Sequence, residues 1–244
     1  MKIRVINPNT STAMTAKIGS AAAAVAAPGT LIEAVQPSFG APSIEGHHDD
    51  VWAAAGVSEQ VRLGEAAGAD AHVIACFGDP GLHAARELAR GPVIGIAEAA
   101  FHCASLLATG FSVVTTLTRT CVIAEHLVLQ YGFERRCRGI HGTDIAVLEL
   151  DDPASDVYAR ILASSRAALQ HDRSGAIVLG CAGMADLCLR LQTELGVPVV
   201  DGVAAAVKLA ESLVSLGLGT SKQGDYAAPL PKAYAGLARP YSPG

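Results

Sequence analysis

The sequence predicts an α/β fold made of two pseudo-symmetric, Rossmann-like lobes, each with a four-stranded parallel sheet flanked by helices. Short apolar runs alternate with longer helical patterns along all 244 residues. The pattern also repeats, because "CFGDPGLHAARELARGPVIGIAEAA" aligns with "CAGMADLCLRLQTELGVPVVDGVAAA" with one extra residue in the second copy. Aromatic residues make up only 5% of the chain, so we expect Val, Ile, Leu and Ala to fill the core.

The first half contains four predicted strands, because apolar runs bounded by turn residues indicate buried strands. These runs lie at 2–7, 31–36, 71–75 and 92–96. The segments between them are predicted helices at 11–26, 51–67, 80–89 and 97–108. Asp79 followed by Pro80 is typical of an N-cap and a first helical residue, so the third helix is expected to begin there.

The second half repeats this order. Its predicted strands lie at 111–115, 138–142, 176–180 and 197–200, and its predicted helices at 119–131, 154–171, 183–195 and 202–217. Asp201 is predicted to be the N-cap of the last helix. Residues 220–244 contain four prolines and are predicted to lie on the surface as a tail.

The repeat predicts lobe boundaries and a cleft. Cys76 and Pro92 are 16 residues apart, and Cys181 and Pro198 are 17 apart, which favours duplication over chance similarity. We expect the first lobe to be discontinuous, formed by 1–96 and 203–244, and the second to be 97–202. The active site is expected in the cleft between them.

Composition and charge argue against several classes of partner. A net charge of −5 gives no electrostatic basis for binding nucleic acid. No apolar run has the length of a membrane span, and the N-terminus lacks the apolar core of a signal peptide. Six cysteines without a CxxC pair suit reduced thiols, so we expect a cytoplasmic globular protein.

Polar or reactive residues follow four of the predicted strands. They are Asn7–Ser11, Cys76–Asp79, Thr115–Thr116 and Cys181–Gly183. Ligands of open parallel sheets bind beyond the carboxyl ends of the strands, so these four segments are expected to line one cleft. Two facing lobes would place the two cysteines on opposite walls of it.

Cys76 and Cys181 each precede a predicted helix, where free N–H groups and the helix dipole would lower the pKa of a thiol. Two such thiols suggest proton transfer on both faces of one acidic carbon, with one thiolate as base and one thiol as acid. Backbone amides near Gly78 and Gly183, with the Thr115 and Thr116 hydroxyls, could stabilise the enolate. The other cysteines, Cys103, Cys121, Cys137 and Cys188, are interpreted as small core residues.

The stretch "SIEGHHDD" at 43–50 contains His47, His48, Asp49 and Asp50. Adjacent ligands on a turn usually point apart, so a polar loop is favoured over a metal site, and no metal is expected. Ser43 and Gly46 could instead shape a lid over the cleft.

The sequence resembles the hydantoin/allantoin racemase branch of the aspartate/glutamate racemase superfamily. The motifs are "INPNTS", "PSIEGH", "VIACFGDPGL", "AIVLGCAGM" and "GVPVVDGVAAAVKLAESL", in order over roughly residues 2–222. The resemblance implies cofactor-independent racemisation by Cys76 and Cys181, identical subunits in a homo-oligomer, and a small cyclic ureide as substrate. It also implies substrate contacts by Asn9, Ser43, Ile44, Gly78, Thr115, Thr116, Ala182 and Gly183.

Within the family, the segments "CFGDPGLHAARELARGPVIGIAEAA" and "ESLVSLGLGTSK" look more similar to allantoin-type members than to hydantoin-type ones. We therefore expect racemisation of allantoin at C5, a step of purine catabolism. Three alternatives stay open. They are a racemase of 5-monosubstituted hydantoins, a decarboxylase or cis–trans isomerase of small diacids on the same scaffold, and a two-lobed binding protein without catalysis.

Overall fold

The computed structural model describes residues 1–151 and 155–243. It contains two four-stranded sheets, in the orders β2-β1-β3-β4 and β6-β5-β7-β8. Neighbouring strands in both sheets are parallel, and the second order is the first with each strand number raised by four. The predicted fold class, with its internal duplication, is therefore confirmed.

The strands are β1 Lys2–Ile6, β2 Leu31–Val35, β3 Ala71–Ile74, β4 Val93–Gly95, β5 Phe111–Thr115, β6 Cys137–Gly142, β7 Ala176–Leu179 and β8 Val199–Asp201. The helices are α1 Thr12–Val25, α2 His47–Ala66, α3 Leu82–Leu88, α4 Ile96–Leu107, α5 Cys121–Gln130, α6 Val157–Asp172, α7 Cys188–Leu195 and α8 Gly202–Ser215. Short 3₁₀ segments occur at Thr118–Thr120, Val147–Asp151, Ala182–Leu187, Gly224–Tyr226 and Gly236–Tyr241.

Helix starts show where local patterns predict well and where they fail. Ser11 caps α1 by accepting from the Met14 N–H at 3.2 Å, and Asp201 caps α8 as predicted, accepting from Val203 and Ala204. The predicted polar loop over His47–Asp50 is wrong, because α2 begins at His47. Its first turn carries two aspartates, which favour a helix N-terminus electrostatically.

Two other predicted helix starts are also wrong. The helix after Cys76 begins at Leu82 with Gly81 as N-cap, so Asp79 does not cap it. The segment after Cys181 first forms the tighter 3₁₀ helix Ala182–Leu187, in which the Met184 N–H donates to the Cys181 carbonyl, and becomes α-helical only at Cys188. Part of the helix predicted at 154–171 lies outside the described residues; α6 begins at Val157.

The two halves share one hydrophobic core. Buried residues from both sheets form a single cluster, which also contains the inner faces of α4 and α8. Helix α8 contacts β3 and β4 of the first sheet although it follows β8 in sequence, and α4 contacts β7 of the second. This exchange of helices suits a discontinuous first lobe; the boundaries at 96/97 and 202/203 stay a prediction.

An aromatic cluster joins the halves, which the expectation of an aliphatic core did not include. The Phe101 ring on α4 lies 5.6 Å from Phe77, 5.5 Å from Phe111 and 5.7 Å from Phe133. Phe77 follows β3 and Phe111 begins β5, so four of the five phenylalanines cluster where the two sheets meet.

The tail after α8 lies on the surface of the first half, as predicted. The Tyr241 hydroxyl donates to Glu59 on α2 at 2.9 Å, and Lys222 donates to the Arg86 carbonyl on α3 at 2.6 Å. Most side chains of 220–243 are exposed. Across the described part of the chain, no helix is both long and apolar enough to cross a membrane.

Candidate active site

A cavity of about 70 Å³ lies where the carboxyl ends of the two sheets meet. A water molecule needs on the order of 10–15 Å³ measured in the same way, so the cavity can hold a small ligand. Its lining is Asn7, Asn9, Met14, Ile44, Asp50, Ala75, Cys76, Phe77, Gly78, Thr115, Thr116, Thr120, Ile123, Ala124, Val147, Gly180, Cys181 and Ala182.

Most of the site residues predicted from sequence line this cavity. They are Cys76, Cys181, Asn9, Ile44, Gly78, Thr115, Thr116 and Ala182. Ser43 and Gly183 are not among the lining residues. Gly183 faces the protein instead, because a β-carbon there would lie 2.8 Å from Leu150 Cδ1 and 3.5 Å from Met14 Cε. The structure therefore gives these two residues no direct place in the cavity.

The two cysteines occupy equivalent positions. Cys76 lies two residues beyond the end of β3 and Cys181 two residues beyond the end of β7, and each of these strands is third in its sheet. Parallel strands present their carboxyl ends at one edge, so both thiols reach the same cavity from different sheets.

Burial raises the pKa of the Cys76 thiol above its ordinary value. The Gly78 N–H hydrogen bond acts in the opposite direction and favours the thiolate, whereas the nearby Cys181, Asp50 and Asp79 disfavour a second negative charge. The expectation that a helix start lowers the pKa of Cys76 is therefore wrong. Desolvation outweighs the single amide donor, and α3 begins too far along the chain, at Leu82.

Asn9 presents an amide donor to the cavity. Its Oδ1 accepts from Asn7 Nδ2 at 2.8 Å and from the Ser11 N–H at 2.9 Å, which fixes the side-chain orientation. Among the described residues, its Nδ2 donates only to Met14 Sδ, at 3.3 Å. A thioether is a weak acceptor. A ligand carbonyl would therefore be a stronger partner for this buried donor.

The two threonines after β5 differ in what they can offer a ligand. The Thr115 hydroxyl donates to the Gly180 carbonyl at 2.8 Å and so ties the end of β5 to the end of β7. A β-carbon at Gly180 would lie 2.5 Å from Thr115 Cβ, so only glycine fits there. Within the described residues, the buried Thr116 hydroxyl has no hydrogen bond. Thr116 is thus the better donor to a ligand.

Asp50 is a lining residue that sequence reasoning did not select. It lies in the first turn of α2, and its Oδ1 would be 3.5 Å from a β-carbon at Gly78. Burial raises the pKa of this carboxyl, while His47 acts to lower it. The helix start was the missing signal, because a helical turn directs Asp50 inward while His47 and His48 stay exposed.

Phe77 lines the cavity, as expected for the Cys76–Asp79 segment, and the lining residues that the sequence did not indicate are mostly apolar, among them Met14, Ile123, Ala124 and Val147. Val147 comes from the second half of the chain and lines the cavity together with Ile44 of the first. Glu45 holds these two segments together, since its Oε1 accepts from the Val147 N–H at 3.1 Å. No local pattern indicates this contact, because the two residues are 102 positions apart.

Asp79 acts on the second half of the molecule. Its carboxylate accepts from the Ala97 N–H at 3.1 Å and from the Glu98 N–H at 3.0 Å, both in the first turn of α4. The Tyr131 hydroxyl, just after α5, donates to Asp79 Oδ2 at 2.9 Å. Its predicted role as N-cap of the following helix is therefore replaced by contacts across the halves.

Among the residues that the structure describes, no three His, Cys, Asp or Glu side chains are grouped as a metal site requires. None of the six cysteines, all of which the structure describes, forms a disulfide. Burial raises the pKa of Cys137 to about 12 and that of Cys188 to about 11, as suits the small core residues predicted from the sequence.

Comparison with known proteins identifies relatives along almost the whole chain. Residues 3–210 match the family model described as Asp/Glu/hydantoin racemase. A hydantoin racemase of Rhizobium meliloti is 48% identical over 236 residues, covering 97% of this chain and 98% of that protein.

Two solved structures are also similar. Allantoin racemase from Klebsiella pneumoniae has 59% sequence identity and a TM-score of 0.98, with complete coverage of both chains. An allantoin racemase from Pseudomonas fluorescens has 42% identity and a TM-score of 0.93, covering 97% of this chain and 100% of that one.

Proposed function

The chain belongs to the Asp/Glu/hydantoin racemase family and is a racemase of the hydantoin/allantoin type, and we propose that it interconverts the enantiomers of allantoin at C5. We propose that Cys76 and Cys181 transfer the protons and that no cofactor takes part. The observation that supports this most is the arrival of both thiols, from equivalent strand ends, in one small cavity.

In this mechanism the thiolate of one cysteine removes the C5 proton and the thiol of the other donates a proton to the opposite face. After the product leaves, the protonation states of the two cysteines are exchanged. The enzyme can then convert the opposite enantiomer, or the cysteines exchange protons with water before the next turnover in the same direction. A raised pKa suits Cys76 as the thiol donor of the resting enzyme. For the reverse direction, the Gly78 N–H supplies stabilisation of its thiolate.

The proton at C5 is acidic because the resulting charge spreads onto the neighbouring ring carbonyl. Asn9 Nδ2 and the Thr116 hydroxyl are the donors best suited to that oxygen, since neither has a strong partner among the described residues. A buried, preoriented donor stabilises developing charge more than water does.

Asp50 supports allantoin as the substrate. The C5 substituent of allantoin is a ureido group, which carries several N–H donors. An ionised carboxylate can only accept hydrogen bonds, so it is a suitable partner for these donors. Asp50 is the lining carboxylate nearest the Gly78 backbone beside Cys76. The apolar residues Ile44 and Val147, and the relatives named hydantoin racemase, support 5-monosubstituted hydantoins as the second candidate.

The deciding experiment is polarimetry of the purified, reduced protein with (S)-allantoin and, separately, with one enantiomer of a hydantoin bearing an apolar C5 group. We expect faster loss of rotation with allantoin, together with deuterium uptake at C5 in D₂O. A higher kcat/KM for the hydantoin would replace the proposed substrate. Absence of turnover with both would contradict racemisation of either ring.

Two further expectations belong to this proposal. Six cysteines without a disulfide suit a reducing compartment, so we propose that the protein works in the cytoplasm. We also propose a homo-oligomer, which size-exclusion chromatography with light scattering would measure.

A further inference from the structure

We propose that Asp79 is a positioning residue, which fixes the Cys76 loop to two helices that pack on the second sheet, through the N-terminus of α4 and the hydroxyl of Tyr131 at the end of α5. Asp79 is absent from the cavity lining, so it acts on the reaction through Cys76. The inference goes beyond the proposed function, because the thiol readout described below does not require a known substrate.

Helix α4 lacks a cap of its own, and Asp79 supplies one. The N-cap residue of α4 is Gly95, which has no side chain to accept a hydrogen bond. Asp79 accepts from both Ala97 and Glu98 instead. A β-carbon at Gly95 would overlap the Asp79 carboxylate, so the glycine provides the space that the carboxylate occupies.

The equivalent helix of the second half shows what is unusual about α4. Helix α8 follows β8 just as α4 follows β4, but its N-cap Asp201 accepts from the Val203 and Ala204 N–H groups. Helix α4 therefore receives its capping carboxylate from Asp79, which precedes Ala97 by 18 positions and Glu98 by 19. The substitution of a distant cap for a local one connects the Cys76 loop to a helix that contacts the second sheet.

Tyr131 adds a second attachment on the same carboxylate. It directly follows α5, whose residues Ile123 and Ala124 line the cavity. Its hydroxyl donates to Asp79 Oδ2, and its ring lies 6.4 Å from Phe101 of α4. The loop that carries Cys76 is thus attached through one side chain to α4 and to the end of α5, two helices that pack on the second sheet.

The backbone of Asp79 indicates that these contacts determine its conformation. Its φ is +45°, a left-handed value that non-glycine residues adopt only at a cost on the order of 1 kcal/mol or more. Its N–H donates to the Cys76 carbonyl at 3.0 Å, which closes the turn between the two residues. Movement of the carboxylate would therefore displace the Cys76 backbone within the same turn.

Asp79 affects Cys76 both by its hydrogen bonds, which hold the loop, and by its negative charge, and these two effects can be tested separately. Burial raises its pKa to about 7, the Ala97, Glu98 and Tyr131 donors act in the opposite direction, and the Glu98 carboxylate raises it further. Glu98 is itself paired with Arg86 of α3 at 2.5 Å. The ionised carboxylate of Asp79 in turn raises the pKa of Cys76, together with Cys181 and Asp50.

The test compares Asp79→Asn and Tyr131→Phe with the control Tyr158→Phe. Tyr158 also donates to a carboxylate, that of Glu194 at 2.7 Å, but neither residue lines the cavity. We expect kcat to fall about tenfold or more in both test variants with KM within about twofold, because misplacing a reacting group by 1 Å can cost about 100-fold in rate. The control should retain wild-type kcat.

The second readout is the pH dependence of Cys76 alkylation by iodoacetamide, followed by mass spectrometry of the Cys76 peptide. Asp79→Asn removes a neighbouring negative charge, so its alkylation midpoint should move to lower pH. Tyr131→Phe retains that charge at alkaline pH and should leave the midpoint unchanged. Thermal unfolding of each variant identifies any rate change that follows from loss of the fold.

Wild-type kcat in folded Asp79→Asn and Tyr131→Phe would overturn the proposal, as would an equal loss in Tyr158→Phe. An unshifted alkylation midpoint in Asp79→Asn would contradict the effect of the Asp79 charge on the pKa of Cys76. If wild-type protein racemises neither allantoin nor a hydantoin, the proposed function fails, and an alkylation shift in Asp79→Asn would still show that the Asp79 carboxylate acts on the Cys76 thiol.

Discussion

Cys76 and Cys181 lie at the same position of two equivalent sheets, each two residues beyond the end of the third strand. They contribute to the lining of one cavity, and the negative charge of one disfavours ionisation of the other. Such a pair is expected to hold one proton more firmly than the other, because two close thiolates repel. A two-base reaction requires one acid and one base in this arrangement.

Replacement of either cysteine by serine should abolish racemisation but not affect the two enantiomers alike in isotope exchange. Cys181→Ser retains the Cys76 base, so C5 deuterium uptake without inversion should persist for one enantiomer; Cys76→Ser should show it for the other. Racemisation should fall about 10²-fold to 10⁴-fold in each. Proton NMR in D₂O with each enantiomer measures both quantities. Cys103→Ser is the control, and full racemisation in either active-site variant would contradict the two-base mechanism.

Stability should decrease above about pH 9. Cys76, Cys137 and Cys188 have raised pKa values in the folded protein against an ordinary value of 9.0. The unfolded chain therefore loses these protons first, the native state binds more protons, and the free energy of unfolding falls as pH rises. Each thiol contributes a slope of at most about 1.4 kcal/mol per pH unit.

Urea unfolding in reducing buffer at pH 8, 9 and 10 measures this slope. The double variant Cys137→Ser, Cys188→Ser should show a shallower fall than the wild type, since the effect of Cys188 ends near its pKa of about 11 and that of Cys137 near about 12. Equal slopes for the two proteins would contradict the assignment to these thiols.

Asp50→Ala should lower kcat/KM for allantoin more than for an apolar hydantoin. The carboxylate lines the cavity, and a hydrogen bond from the ureido group to a charged acceptor contributes about 1.5–3 kcal/mol. Its loss should lower kcat/KM for allantoin about tenfold to 100-fold. The matched control is Asp49→Ala, because the Asp49 carboxylate accepts from the Glu45 N–H and is absent from the lining. Equal losses for both substrates in Asp50→Ala would remove Asp50 as the basis of substrate choice.

Glu45→Ala should raise KM for either ring by a few-fold while kcat changes less. The Glu45 carboxylate joins the segments that bring Ile44 and Val147 to the cavity, and a hydrogen bond to a charged group contributes about 1.5–3 kcal/mol. Initial-rate kinetics would detect the change. The partly buried Glu87, which is absent from the cavity lining, provides the control Glu87→Ala. A KM equal to that of the wild type would show that this contact does not organise the binding site.

Several features followed from local sequence alone. The apolar runs predicted all eight strands, since a short buried strand in a parallel sheet needs nothing but apolar residues and a turn at each end. Ser11–Met14 and Asp201–Val203 are caps formed within three residues, so local chemistry suffices. The matched positions of Cys76 and Cys181 were also visible, because duplication preserves spacing.

Other features depended on residues distant in the chain. Asp79 had the local pattern of an N-cap for the following helix. Its carboxylate instead fits beside Gly95, which has no side chain there, and accepts hydrogen bonds from the first turn of α4 and from Tyr131. The pKa of Cys76 follows from burial between the two sheets, which reverses the shift expected from sequence. Asp50 required the correct start of α2, and Val147 required contact with a loop 102 residues away.

The sequence by itself therefore determined the order of strands and helices, the duplication, the family and the two cysteines, because each is encoded in short-range pattern or spacing. The tertiary structure decided which side chains surround those thiols and how strongly they hold their protons. Desolvation, like-charge repulsion and the competition of distant donors for one carboxylate arise only when the two halves come together.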